Sequence, residues 1–160
     1  MLEFAMKRFI AAGLICVMSA SAALAEAFLP TGHWRVQDGT AVIRVVNCTD
    51  ALWGVIAGAA GGANNIDTDK NNPNPALRNR PITGLPILID MRPSQGRWTG
   101  RVYNAENGKT YDANIGLVSG NVLHIEGCVL GFLCGGENWT RQPSPRGAPS
   151  DRDVCSQLRQ

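Results

Sequence analysis

Hydrophobic and polar residues alternate along much of the second half of the chain. In residues 110–118 the hydrophobic side chains fall on one face of an extended chain, and residues 121–127 repeat the pattern. A period of two residues is typical of a β-strand with one buried face. On this basis and on their flanking turn residues, eight segments are predicted as strands: 33–37, 41–48, 52–57, 86–92, 96–104, 110–118, 121–127 and 137–142.

Tight turns join most of these segments, and no stretch shows a helical period of useful length. One helical turn is expected at Pro75, where Asn74 can cap it. The pattern predicts one all-β domain, residues 26–142, folded as an eight-stranded antiparallel up-and-down barrel, because closing a sheet removes its exposed edges. A two-sheet sandwich is the alternative. The Pro- and Ser-rich residues 143–160 predict an irregular tail.

A long connection, residues 58–85, separates the third and fourth predicted strands. Asp67, Asp69 and Asn71 have the one-three-five spacing of a calcium loop, but the sixth position is not glycine and the twelfth is Arg78, where calcium requires an acid. A flexible linker would need a second domain, and none is evident. Connections of this length are more often lids or binding loops, so we expect a loop held over the mouth of the barrel.

Two arginines in this connection are candidates for a site. Arg78 and Arg80 flank one residue, so in an extended segment they point to the same side. The favoured interpretation is that they satisfy loop carbonyls and Asp67. The alternative is that they bind an anionic group of a ligand at the rim of the barrel.

The N-terminus has the three parts of a signal peptide. Lys7 and Arg8 precede an apolar run, and the segment ends in a small-x-small pattern that predicts cleavage after Ala25 and a periplasmic or secreted protein. The apolar run is shorter than the roughly 20 residues of a membrane span. Removing Lys7, Arg8 and Glu3 with residues 1–25 lowers the formal net charge from +2 to +1. Such a chain lacks the clustered positive charge that nucleic-acid binding needs.

Four cysteines remain after cleavage, and an even number in an exported chain predicts disulfides. The short segment between Cys128 and Cys134 favours a bridge between them. Cys48 and Cys155 then pair by elimination, although Cys48 could also stay free. A metal site is disfavoured because the chain has no CxxC and only two histidines.

The tryptophans and one histidine complete the candidate residues. Trp34, Trp53, Trp98 and Trp139 lie on four predicted strands, where they can pack the core or line a pocket. His124 lies opposite the apolar face of its strand, which favours a surface or barrel-lining position over a catalytic base. No nucleophile–histidine constellation and no cofactor motif is present. We therefore expect no catalytic residues and no cofactor.

Several segments together resemble a known family. They are Gly32-x-Trp34, the proline-rich residues 72–81, the hairpin of residues 103–111 and the closing residues 139–141. Over residues 30–142 the chain is similar to the bacterial exported family called domain of unknown function 2147. The resemblance implies a lipocalin-like barrel and no established activity. Members often carry further cysteines, one of them near Trp53, which this chain lacks.

These observations lead to a functional hypothesis. The protein is expected to bind a small apolar or amphipathic molecule in a barrel cavity without catalysing a reaction, with Arg78 and Arg80 at the rim and Trp34, Trp53, Trp98 and His124 around the ligand. One alternative is a structural or protein-binding envelope component with a filled barrel, and an unrecognised hydrolase is a third.

Overall fold

The structure, a computed structural model, describes residues 29–59, 68–146 and 148–159. The predicted signal peptide therefore lies outside the described residues. The elements are β1 (Gly32–Arg35), β2 (Ala41–Cys48), β3 (Ala51–Ala59), β4 (Pro86–Ser94), β5 (Arg97–Asn104), β6 (Lys109–Ser119), β7 (Val122–Val129), β8 (Leu133–Gln142) and α1 (Asp151–Gln157), with a 3-10 turn at Pro75–Leu77 between β3 and β4.

The eight strands form a closed antiparallel barrel in chain order. Each strand pairs with the next, and β1 closes the barrel by pairing with β8, where Trp34 lies opposite Arg141. The predicted up-and-down barrel is confirmed, and the sandwich is not formed. The helical turn after Asn74 is also present, because the Asn74 side chain accepts a hydrogen bond from the Ala76 amide.

One irregularity in β4 sets the inward face of that strand. A bulge between Ile89 and Arg92 places Asp90 at a φ of 49° and directs Met91 into the core. Gly100 of β5 faces the bulge, and a Cβ there would lie 2.7 Å from the Ile89 carbonyl oxygen. The close approach therefore requires glycine at position 100.

The alternating strand directions separate the connections into two ends. The β1–β2, β3–β4, β5–β6 and β7–β8 connections lie at one end, which we call the open end. The β2–β3, β4–β5 and β6–β7 turns lie at the other, which we call the closed end.

One tryptophan and one arginine pack together at the closed end. Trp34 is fully buried, and its indole N–H donates to the Pro30 carbonyl at 2.9 Å. The Arg141 guanidinium lies 4.1 Å from the centre of the Trp34 ring and donates to the carbonyls of Gly120 and Thr31 at 2.6 and 2.8 Å. These contacts join both ends of the barrel chain to the β6–β7 turn.

The C-terminal segment contains a helix, so the prediction of an irregular tail was wrong for residues 151–157. Ser150 and Asp153 form a capping box that starts α1. The helix packs Val154 on the outer face of β2 and β3 and is tied down by the disulfide between Cys48 and Cys155. Seven residues are too few to show a hydrophobic period, which is why the pattern did not reveal the helix.

Candidate functional site

Six inward-facing residues nearest the open end are only partly buried. They come from six adjacent strands or their ends, and the alternation from fully buried neighbours places them inside the barrel. We call them the cup: Val36, Ala41, Val102, Tyr111, Gly127 and Glu137.

The barrel below the cup is filled. Trp34, Leu52, Leu88, Met91 and Leu123 are each 0% exposed. Side chains that lined a continuous lumen would keep surface accessible to water inside it, and these have none. Space for a ligand inside the barrel is therefore limited to the cup.

Glu137 introduces a carboxylate into this apolar surface. It pairs across the strands with Ile125, which is 5% exposed, and it accepts a hydrogen bond from the indole N–H of Trp139. The Tyr111 hydroxyl lies at the rim, where it accepts from the Asn107 amide at 2.9 Å. The cup thus combines apolar walls with one acid and one hydroxyl.

The sequence interpretation did not identify Glu137. The signal was present, because Glu137 lies two residues before Trp139 and so shares its face in a strand. An acid on the inward face of a barrel strand stands out only once the inward face is known.

A buried acid organises the long connection. Asp69 is 0% exposed and accepts hydrogen bonds from the Tyr103 hydroxyl at 2.6 Å and the Asn72 amide at 2.7 Å. The Arg80 guanidinium donates to the same carboxylate at 3.0 and 2.8 Å. Burial by itself raises the pKa of Asp69, but the hydrogen bonds from Tyr103, Asn72 and Arg80 and the charge of Arg80 outweigh it, so the pKa lies below its ordinary value.

Residues 68–85, which we call the rim segment, are attached to the outer face of the barrel through Asp69, whereas Ile82 and Leu85 pack against the core. Tyr103 pairs with Thr110 on the face opposite the buried Ala113, so the Asp69 network lies against the outer face of β5. The Asn71 amide donates to the carbonyl of Glu106 at 2.7 Å. The polar groups of the rim segment thus find their partners on β5 and the β5–β6 turn, and the position of the whole loop over the mouth stays a prediction.

Both candidate arginines bond to other residues of the rim segment. Arg80 pairs with Asp69. The partner expected from the sequence, Asp67, lies outside the described residues. The Arg78 guanidinium donates to the Asn72 carbonyl at 2.8 Å. Asp69 and Asn71 point to different partners, so these two positions of the calcium spacing do not converge on a cation.

The remaining candidate side chains do not converge on one site. Trp34 and Trp98 face inward near the closed end, with Trp98 partly buried against the core. Trp53 projects outward and packs with Val154 beneath α1. His124 also projects outward, and its Nδ1 lies 2.8 Å from the Asn138 side-chain oxygen. Trp53 and His124 therefore cannot contact a molecule inside the barrel.

Both predicted disulfides are present, Cys48–Cys155 and Cys128–Cys134. Glu126 lies close to the second pair. Because both sulfur atoms are already bonded to each other, they do not offer thiolates to a metal ion.

A concavity of about 430 Å³ lies elsewhere, on the outer surface between α1 and the β2–β3 turn. Its lining includes Asn47, Thr49, Arg152 and Arg159, and none of the cup residues contributes to it. It is a second place where a small molecule could bind, so an experiment on the cup has to distinguish the two.

Comparison with known proteins agrees with the fold. The structure of protein HP1028 from the human pathogen Helicobacter pylori, described as belonging to the lipocalin family, is similar to this chain with a TM-score of 0.65 and 22% sequence identity, over 82% of this chain and 90% of that one. No curated protein matches the chain. The family model described as "Uncharacterized protein conserved in bacteria (DUF2147)" matches residues 32–141, and the chain therefore belongs to this family.

Proposed function

We propose that the protein binds a small amphipathic molecule in the cup, without catalysing a reaction. The observation that carries this proposal is the contrast in burial inside the barrel. Trp34, Leu52, Leu88, Met91 and Leu123 inside the barrel are fully buried, whereas the six cup residues at the open end keep part of their surface accessible. An apolar concavity with few polar groups is the usual form of a small-molecule site.

The composition of the cup suggests the polarity of its ligand. Val36, Ala41 and Val102 offer apolar contact, and the Glu137 carboxylate can accept hydrogen bonds from a ligand. A molecule with an alkyl or aromatic body and an amine or hydroxyl group matches this arrangement. A fatty-acid carboxylate would instead face a like charge.

The positions of the titratable groups support a binding role over an enzymatic one. His33 and His124 both project from the outer face of the barrel. Burial, and then the charge of Arg44, lower the pKa of His33. Asp69 and Tyr103 bond each other outside the cup. Glu137 thus has no histidine beside it inside the barrel to form an acid–base pair.

To test the proposal, a larger side chain is introduced into the cup and the affinity for the neutral apolar fluorophore N-phenyl-1-naphthylamine is measured. A Cβ on Gly127 would lie 3.4 Å from Val102 Cγ1 and 3.8 Å from Tyr111 Cβ, so Gly127→Leu adds its side chain to the cup. We expect affinity to fall at least about tenfold, because leucine occupies the ligand's apolar contacts.

The matched control is Gly116→Leu, the same change on the outer face of β6, where a Cβ would lie 3.6 Å from Arg97 Cγ. It should leave affinity unchanged. Unchanged binding in Gly127→Leu would contradict the proposal, as would loss of binding on Arg152→Glu in the outer concavity.

The filled middle of the barrel favours a second candidate, a structural or protein-binding envelope component. If the wild-type protein binds neither the fluorophore nor alkyl amines, the second candidate replaces the first.

A further inference from the structure

The β7–β8 connection exposes an unusual group of large apolar side chains. Val129, Leu130, Phe132 and Leu133 are 45, 79, 71 and 59% exposed. They lie between Cys128 and Cys134, which are cross-strand partners joined by a disulfide. We call residues 128–134 the tip. Adjacent exposed apolar residues of this size usually mark a surface that contacts something other than water.

The tip projects beyond the rest of the barrel. On one side the pairing of β7 with β6 stops at Cys128, and on the other side the pairing of β8 with β1 stops at Thr140. The tip belongs to the open end, where it extends past the cup.

From these observations we propose that the tip inserts into the interface of a phospholipid bilayer and brings the open end of the barrel to the membrane surface. The proposal rests on the proposed function in one respect only: docking would place the cup beside a source of amphipathic molecules. The insertion itself follows from the tip alone.

The chemistry of the tip fits a neutral membrane interface. Residues 127–136 contain no charged side chain. Within the hairpin Val129 pairs with Leu133 and the Phe132 amide donates to the Val129 carbonyl at 3.4 Å, while among the described residues the outer edges of the two strands have no strand partner at the apolar residues of the tip. The hydrocarbon offers no hydrogen bonds to such edges, so the tip suits the headgroup interface, where water and lipid headgroups can bond the backbone.

The size and shape of the tip argue against a second copy of the chain as its occupant. Four side chains on a hairpin present a few hundred Å² of apolar surface at most. A stable protein–protein interface buries roughly 800 Å² on each partner. A convex tip also finds a complementary surface more easily in a deformable lipid interface than on another barrel.

Leu130 strengthens this argument. Its φ is 55°, a left-handed conformation in which glycine or asparagine is favoured over leucine. The turn by itself therefore does not explain a leucine at this position. Its side chain is the most exposed of the four, where a membrane contact would use it.

The test measures co-sedimentation of the full chain with phosphatidylcholine vesicles. The double variant Leu130→Asn/Phe132→Ser removes the two most exposed side chains, and asparagine suits the backbone at 130. We expect the partition coefficient of the variant to fall at least about tenfold, because two apolar side chains lose their burial in lipid.

The matched control is Val118→Ser, which removes a side chain that is 67% exposed at the closed end. It should bind vesicles as the wild type does. Replacing part of the phosphatidylcholine by phosphatidylglycerol, or adding salt, should change binding little, since the tip is uncharged.

Three results would overturn the proposal: equal vesicle binding by the double variant, binding that depends chiefly on anionic lipid, or a wild-type dimer that the double variant abolishes without any vesicle binding. The experiments distinguish a failure of the membrane proposal from a failure of the ligand-binding proposal. Gly127→Leu should still bind vesicles, and the tip variant should still bind N-phenyl-1-naphthylamine in solution.

Discussion

At the closed end, Trp34 is fully buried beneath the Arg141 guanidinium, and the indole N–H and the guanidinium both donate hydrogen bonds to backbone carbonyls. At the open end, the inward side chains remain partly exposed and Glu137 lies among apolar groups. Both ends follow the same alternation of inward and outward residues, so strand pattern does not separate them. The size of the inward residues does, because Trp34 fills the one end, whereas alanine, valine and glycine make up four of the six cup residues at the other.

This contrast separates the positions expected to contribute most to stability from those proposed to bind a ligand. Well-packed groups with satisfied hydrogen bonds contribute most to folding. Partly exposed inward groups contribute less to folding and remain available for a ligand. Substitutions at the closed end should therefore change mainly the free energy of unfolding, and substitutions in the cup mainly the affinity for a ligand.

The largest expected effect is at the closed end. Trp34→Ala should lower the free energy of unfolding by about 3–5 kcal/mol, because it empties a large buried volume and removes the surface on which Arg141 stacks. Val102→Ala in the cup should cost about 1 kcal/mol, since the side chain is only partly buried. Urea unfolding under oxidising conditions measures both. Equal losses at the two positions would contradict the contrast.

A smaller effect is expected where the rim segment is attached beside the open end. Asp69→Asn should cost about 2 kcal/mol, because the neutral amide cannot accept all the hydrogen bonds that the carboxylate accepts from Tyr103, Asn72 and Arg80. Unfolding at neutral pH measures this loss. The exposed Asp112→Asn on β6 is the matched control and should change little.

The same substitution tests the pH dependence. Because the pKa of Asp69 is lowered in the folded state, its contribution is complete above the unfolded pKa of about 4 and is lost as pH falls through the folded pKa. The stability of the wild type should therefore decrease more steeply than that of Asp69→Asn below about pH 4. Parallel curves would mean that the carboxylate does not hold the rim segment.

A third substitution distinguishes the contribution of the planar guanidinium of Arg141 from that of its positive charge. Arg141→Lys keeps the charge but loses the planar stacking on Trp34 and the forked donation to the Gly120 and Thr31 carbonyls. We expect a loss of about 1–2 kcal/mol in the free energy of unfolding. The exposed Arg101→Lys serves as the control. A loss no greater than that of the control would show that the stacked pair does not seal this end.

The sequence predicted those features that depend on residues close together in the chain. Alternation located the strands, and the spacing of Cys128 and Cys134 indicated their disulfide. Asn74 and Pro75 indicated the helical turn. These features depend on neighbours within a few residues.

The features that were missed depend on contacts between distant segments. Asp69 meets Tyr103 only when the β3–β4 connection folds back on β5. Trp53 was a candidate for the pocket, yet the alternation along β3 directs it outward, where it packs with Val154 of α1. Glu137 is recognised as a cup residue only when the closed barrel shows which face of β8 is inside.

The smallest expected effect concerns the acid in the cup. Glu137→Gln keeps an oxygen that can accept from the Trp139 indole N–H, so the free energy of unfolding should change by less than about 0.5 kcal/mol. Binding of dodecylammonium should weaken several-fold, by about 1 kcal/mol, because a partly exposed carboxylate attracts the cation only modestly. Binding of dodecanol, which has the same alkyl chain without the charge, should stay the same. Competition against N-phenyl-1-naphthylamine measures both affinities in the wild type and the variant. If dodecylammonium and dodecanol lose affinity equally, the substitution has reshaped the cup and the charge of Glu137 does not select the ligand.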